Sequence, residues 1–197
     1  MPTFTHTLRP LQLAAGAAIR PALRRNIEKV TPESPAIVAM TDLRRLPPIT
    51  IAPDAGIAVA LTIMIHANVR LLLVLDGHGA ICGLISARDI SGELPLQIAA
   101  QERIPFDAVR VDQVMTGVAD IRPLDFEGVR HAAVRDVVRH LVDEQRHHAL
   151  VLERQDDSQY VARGIFSATQ IGRQLGQEIV IGDGIAQSFA ALERMIA

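Results

Sequence analysis

Gly83-Leu-Ile-Ser86-Ala-Arg-Asp89 has a second copy in the chain, Gly164-Ile-Phe-Ser167-Ala-Thr-Gln170, 81 residues further on. In both, an apolar run meets Gly, two apolar residues, Ser, Ala, one variable residue and a polar acceptor. Duplication of this kind decides the architecture before any residue propensity is weighed. The same phrase brings a hydroxyl and a polar acceptor to the start of a helix, where backbone N–H groups lack partners.

The match extends upstream. Thr50-Ile-Ala-Pro-Asp54 answers Ile121-Arg-Pro-Leu-Asp125 at an offset of 71. Ile57, Ala60, Leu61, Met64 and Ile65 answer Val134, Val137, Val138, Leu141 and Val142 at an offset of 77. That spacing is the apolar stripe of a helix. Arg70-Leu-Leu-Leu-Val-Leu75 answers His147-His-Ala-Leu-Val-Leu152, still at 77. The step from 71 to 77 is an insertion near Phe126–His131, and the step to 81 is a longer loop between Glu153 and Arg163. Met40-Thr41 and Met115-Thr116 stand as matching openings.

Each copy reads as short strand, helix, strand, loop, strand, helix. This order resembles a CBS domain, and the two in tandem resemble a CBS pair (Bateman module) over residues 37–176. The resemblance implies an α/β fold of two CBS repeats, β-α-β-β-α, related by a pseudo-twofold axis. The expected division is an N-terminal helical extension and linker at 1–36, repeat 1 at 37–100, repeat 2 at 101–176 and a C-terminal helix at 177–197. Residues 10–29 carry a ragged apolar face that predicts a helix broken near Pro21. Ile185, Phe189, Leu192 and Ile196 predict another helix, with Asp183 placed as its cap.

Composition narrows the function classes. Apolar residues make up 49% of the 197 and aromatics only 3%, with no Trp. The core is therefore aliphatic, and few rings remain to stack on nucleic-acid bases. A net charge of −2 implies no broadly basic face. Cys82 is the single cysteine, so an internal disulfide is excluded, and its apolar setting suits a small buried hydrophobe. No stretch has the roughly 18–20 uncharged apolar residues of a membrane span. The expectation is a cytoplasmic protein that binds neither membrane nor nucleic acid.

The repeated phrase has two readings. As structure, Ser-x-x-Asp and Ser-x-x-Gln are capping boxes, in which the Ser oxygen takes a backbone N–H and the acceptor reaches back. As chemistry, the helix start suits a phosphate, and a carboxylate beside it can accept two hydrogen bonds from the hydroxyls of a ribose. Gly83 permits close backbone approach. Resemblance to ligand-binding CBS pairs implies the second reading. It places the ribose-binding acid at Asp89, next to Arg88, and the hydroxyl at Ser86 and Ser167. It places the phosphate-contacting position at Arg70 and at His147 with His148. It sets adenine against Ile49, Thr50, Ile51 and Ile121. Gln170 keeps a cap but cannot offer an anion, so one good nucleoside site is expected around Asp89 and a degraded one in the second copy.

His131, His140, His147 and His148 have no partners at zinc-ligand spacing, so no metal is expected. No nucleophile elbow, P-loop or paired acid suggests an enzyme. The leading expectation is a regulatory module that binds AMP, ADP or ATP between the repeats and signals to an unidentified effector protein. A homodimer is expected through the stripes Ile57–Ile65 and Val134–Val142. Two further readings stay open. One is a ligand-free dimerisation scaffold, and the other is a sensor of S-adenosylmethionine or of a metal.

Overall fold

The computed structural model describes residues 28–156 and 159–182. Most of the helix expected at 10–29 and of the C-terminal helix expected at 177–197 lies outside the described residues, and the described parts, Glu28, Lys29 and 177–182, are not helical. The elements run α1 (Ala36–Ala39), β1 (Thr41–Asp42), β2 (Thr50–Ile51), α2 (Ile57–Ala67), β3 (Leu71–Leu75), β4 (Ile81–Ser86), α3 (Ala87–Ser91) and α4 (Glu93–Glu102). Then come α5 (Val111–Val114), β5 (Thr116–Gly117), β6 (Leu124–Asp125), α6 (Phe126–His131), α7 (Val134–Asp143), β7 (His148–Asp156), β8 (Gln159–Ser167) and α8 (Ala168–Leu175).

The apolar stripes make the two long helices. On α7, Val134, Val137, Val138, Leu141 and Val142 are all buried, while Arg135, Asp136 and Arg139 form ion pairs on its outer side. The Asp136 carboxylate accepts the Ala133 N–H and so tethers the helix start. On α2, Ile57, Ala60 and Met64 are buried and the helix stops at Asn68, whose φ of 52° is left-handed. The two outer faces differ. That of α2 shows Val59, Leu61 and Ile65, the last 69% exposed, and bears no Asp, Glu, Lys or Arg. The expected dimer stripe Val134–Val142 is therefore corrected: it is consumed by the core of its own sheet and offers nothing to a partner.

Two four-stranded sheets result, ordered β2-β3-β4-β5 and β1-β8-β7-β6. In each, a parallel pair lies at one side (β2 with β3, β6 with β7) and an antiparallel hairpin fills the middle. Both hairpins carry a bulge at the same place, between Val74 and Leu75 and between Val151 and Leu152. The fourth strand is exchanged. Thr41–Asp42 opens the first copy but pairs with β8, whereas Thr116–Gly117 opens the second and pairs with β4.

Each sheet has its own helix-covered core, built on Ile57, Leu72 and Ile85 in one and on Val134, Val151 and Phe166 in the other. A third cluster, Leu73, Leu84 and Leu150, lies between the sheets. It uses the opposite faces of the central strands, as the two-residue strand period requires. Burying one such side chain contributes about 1.5–3 kcal/mol.

Gly83 and Gly164 are needed where the exchanged strands arrive. A Cβ on Gly83 would collide with the Met115 side chain and press on the Thr116 carbonyl at 3.0 Å, and one on Gly164 would run into Met40. The close approach permitted by Gly83 is thus to protein. Gly164→Ala should lower stability by about 1–3 kcal/mol through overpacking. Adding Met40→Ala should cost less than the sum of the two single changes, because the space is shared. Urea unfolding of the three variants checks this, and simple additivity would count against the contact.

Candidate functional site

The strands β3 and β4 meet β7 and β8 at a cleft where the repeated phrase begins its helix. In the first copy the capping box is complete. Asp89 Oδ2 accepts the Ser86 N–H at 2.7 Å and the Ser86 hydroxyl at 2.8 Å, while the Asp89 N–H points to Ser86 Oγ at 3.4 Å. Asp89 Oδ1 has no hydrogen bond among the described residues. The Ala87 N–H donates to the Arg70 carbonyl at 3.0 Å, and the repeat-related Ala168 N–H donates to His147 at 2.9 Å. This backbone pairing places Arg70 and His147 beside the two helix starts.

Two cavities adjoin there. The smaller, of about 250 Å³, takes Asp89, Leu71 and Leu84 from the first copy and Thr116, Ile121 and Leu150 from the second. The larger, of about 670 Å³, includes Arg70, Ser91, Thr169 and Arg173. Ser86, Arg88, His147, His148 and Ile181 border both. Arg70 and Arg88 have no ion-pair partner among the described residues, and Arg146 donates only to the Thr116 hydroxyl at 3.2 Å. Cations left without a carboxylate favour an anion.

Of the expected site residues, Arg70, Ser86, Arg88, His147 and His148 line the larger cavity and Ser86, Arg88, Asp89, Ile121, His147 and His148 the smaller. The structure does not bring Ile49, Thr50, Ile51 or Ser167 to either cavity. Thr50 and Ile51 are tied into the ladder against Leu73 and Val74, and the Ile51 side chain is spent in the core. Ile121, its neighbour Arg122 and the preceding Asp120 take that place beside Asp89. Sequence reasoning missed Thr116, Arg146 and the stretch Gln177–Gly182, which walls the cavities although it lies beyond the repeat.

The second copy is built otherwise. Ser167 makes no side-chain cap, so the expected second capping box is absent. Gln170 instead turns to the exchanged strand: its Oε1 accepts the Thr41 hydroxyl at 3.2 Å and its Nε2 reaches the Ala39 carbonyl at 3.5 Å. Beside it Arg163, 8% exposed, pairs with Asp42 and lies 4.7 Å over the Phe126 ring. Its Nε sits 3.2 Å from Glu153 Oε2 without hydrogen-bond alignment, and Arg44 holds the same oxygen at 2.7 Å. Burial alone would raise the Asp42 carboxyl, but the Arg163 guanidinium and the Arg44 N–H outweigh it and hold it below the usual carboxylate range. Gln170, the counterpart of Asp89, thus finds its partners within the protein.

Burial and neighbouring charge push both cleft histidines towards the neutral form. Burial pushes His148 down to about 4, with His147 and Arg70 adding repulsion. Burial, then Arg88 and Arg70, lowers His147. No cluster of metal-ligating groups occurs among the described residues, and none of their helices is long and apolar enough to cross a membrane. Because the unfolded chain protonates His148 near 6.5 and the fold only near 4, stability should be full above pH 6.5 and fall as the pH drops towards 4, by up to ~3 kcal/mol. Denaturant midpoints at pH 7 and pH 5 measure it. His148→Asn should flatten that slope, and an unchanged slope would place the titration elsewhere.

Comparison with known proteins agrees with this architecture. The CBS domain family matches residues 40–95. No curated protein sequence matches the chain. An uncharacterised conserved protein from Pyrococcus horikoshii superposes with a TM-score of 0.53 at 18% identity, covering 78% of this chain and 100% of its own. A CBS-domain-containing protein from Agrobacterium tumefaciens gives 0.50 at 16% identity, over 69% of this chain and 93% of its own. A protein with CBS domains from Burkholderia ambifaria gives 0.50 at 20%, over 68% and 88%. Such identities speak to fold alone: the chain has the fold of a tandem CBS pair, and its residues 40–95 match the CBS domain family.

Proposed function

We propose that the chain is a regulatory module that binds one adenine nucleotide in the cleft beside Asp89 and signals to a separate partner. The observation that carries the reading is the contrast between the copies. Among the described residues the first leaves Asp89 Oδ1 and the Arg70 and Arg88 guanidinium groups unpaired along the two adjoining cavities, whereas in the second Gln170, the counterpart of Asp89, is bonded to Thr41 and the Ala39 carbonyl. Asp89 accepts the ribose hydroxyls, and Leu71, Leu84 and Ile121 supply the apolar lining for the base. Arg70, with His147 and His148, faces the phosphate. A bound anion beside them would raise the proton affinity of both imidazoles. The family resemblance supports adenine, and nothing in the cleft resembles a catalytic set.

Asp89→Asn separates a ribose clamp from a helix cap. Asn keeps an acceptor, so stability should change by less than the ~1 kcal/mol of a cap, whereas affinity for AMP should fall by at least tenfold with the charge-assisted bond. Calorimetry should give one site per chain for the wild type. Thermal shift at about 100 times the dissociation constant should report roughly 2.7 kcal/mol of stabilisation. Two equal sites per chain would contradict the contrast between the copies, and equal losses of stability and affinity in Asp89→Asn would make the residue structural.

The scaffold reading has its own support in the uncharged outer face of α2. Its exposed Val59, Leu61 and Ile65 form an apolar patch beside Thr62 and His66, and such a patch is normally covered. We assign that face to a second copy of the chain, because an uncharged apolar surface is complementary to itself and the equivalent face of α7 is charged. Ile65→Asp, at a position 69% exposed, should leave the fold intact and convert the dimer to monomer in light scattering. A wild-type monomer at micromolar concentration would remove the assignment.

A further inference from the structure

The two adjoining cavities differ in charge. The smaller is lined by Arg88, Arg122 and Arg146 and by Asp89, Asp120 and Glu144, which balance when the histidines are neutral. The larger is lined by Arg70, Arg88 and Arg173 against one acid, Glu178, leaving two positive charges in excess. A neutral nucleoside therefore favours the smaller space and its apolar walls, and anionic groups favour the larger. Arg88, His147 and His148 stand at the passage between them.

The larger cavity exceeds what one phosphate needs. Its volume is about 670 Å³, more than twice that of its neighbour, and a single phosphate carries about −1.5 to −2 charge, which Arg70 and Arg88 already match. Arg173 is left over. It lies on the same face of α8 as Thr169, Gly172 and Gly176, the i, i+3, i+4, i+7 set, and that face lines the cavity. Gly172 lets the following chain fold back close: a Cβ there would stand 2.7 Å from the Gln177 carbonyl, and the Gln177 N–H donates to the Gly172 carbonyl at 2.9 Å. The far wall, Gln177–Ile181, is thereby held at a distance from Arg70 that leaves the cavity open.

We propose that the larger cavity is a polyphosphate subsite, so that the ligand is a nucleoside di- or triphosphate whose terminal phosphates meet Arg173. Thr169 and Ser91 offer further hydroxyl donors along its walls. The proposal rests on the nucleotide reading above and adds the ligand's length and a residue of α8 to it. Neither Arg173 nor Thr169 belongs to the repeated phrase's ribose and phosphate positions.

Calorimetry on the full chain, with chelator present so that the phosphates keep their charge, tests it with adenosine, AMP, ADP, ATP and inorganic tripolyphosphate. ATP should bind at least tenfold tighter than AMP. Arg173→Gln should bring ATP down to the AMP level while changing AMP by less than twofold, and Arg173→Lys should restore part of the difference. Equal wild-type affinities for AMP and ATP, or equal losses for both in Arg173→Gln, would overturn the subsite while leaving the nucleotide site intact. If no adenine compound binds, the nucleotide reading falls. Tripolyphosphate binding that Arg173→Gln abolishes would then keep the anion subsite, and its absence would remove that as well.

Discussion

Thr41–Asp42 and Thr116–Gly117 each finish the sheet of the other copy, and they reach it only where Gly83 and Gly164 leave room for Met115 and Met40. Neither sheet is complete without residues from both copies. The exchange also fixes what stands beside each phrase. Thr116 arrives next to Ser86 and Asp89, and Thr41 arrives next to Ser167 and Gln170. With Leu73, Leu84 and Leu150 packed between the sheets, the two helix starts are held facing a common cleft. Each cleft is therefore a joint product of the two copies, and a change in one opening strand alters the site of the other.

That geometry explains how two copies of one motif came to differ. The amide of Gln170 can donate as well as accept, so it bonds both the Thr41 hydroxyl and the Ala39 carbonyl. Asp89 can only accept while ionised, and its partner across the exchange, Thr116, bonds Arg146 instead. Arg163 completes the closure of the second copy. A buried guanidinium is costly unless paired, and here two carboxylates and a ring surround it. Its counterpart in the first copy is Cys82, small and uncharged, at the position just before Gly83. The first copy's strand carries no such charge, and Asp89 Oδ1 stays unbonded among the described residues.

Much of this was legible in the sequence because the two copies check each other. The stripes on α2 and α7 and the strands after them share an offset of 77, which the bulges follow, and the second hairpin arms share one of 81. Three things escaped for physical reasons. Strands of two residues have too little period to show which sheet they join, so the exchange of β1 and β5 was invisible. Ser-x-x-Gln satisfies the pattern of a capping box, but tertiary partners for Gln170 outcompeted the local bond. Stripe periodicity says which residues are apolar but not what covers them, so Val134–Val142 was read as a partner surface when its own sheet buries it.

The wall formed by Gln177–Gly182 ties the cleft to the rest of the chain. Its apolar residues Ile179 and Ile181 pack on the core of the second sheet, and Glu178 brings the one acid to an otherwise basic cavity. Just before it, the Gln174 carbonyl accepts the Val30 N–H, at the other end of the described fold. An anion entering between Arg70, Arg88 and Arg173 replaces the field of Glu178 with a stronger negative charge and raises the proton affinity of His147 and His148, which burial pushes towards the neutral form. On the proposed reading, a response to that charge would pass through the contacts between α8 and this wall, the Gln177 N–H on the Gly172 carbonyl and Ile179 and Ile181 on the second core.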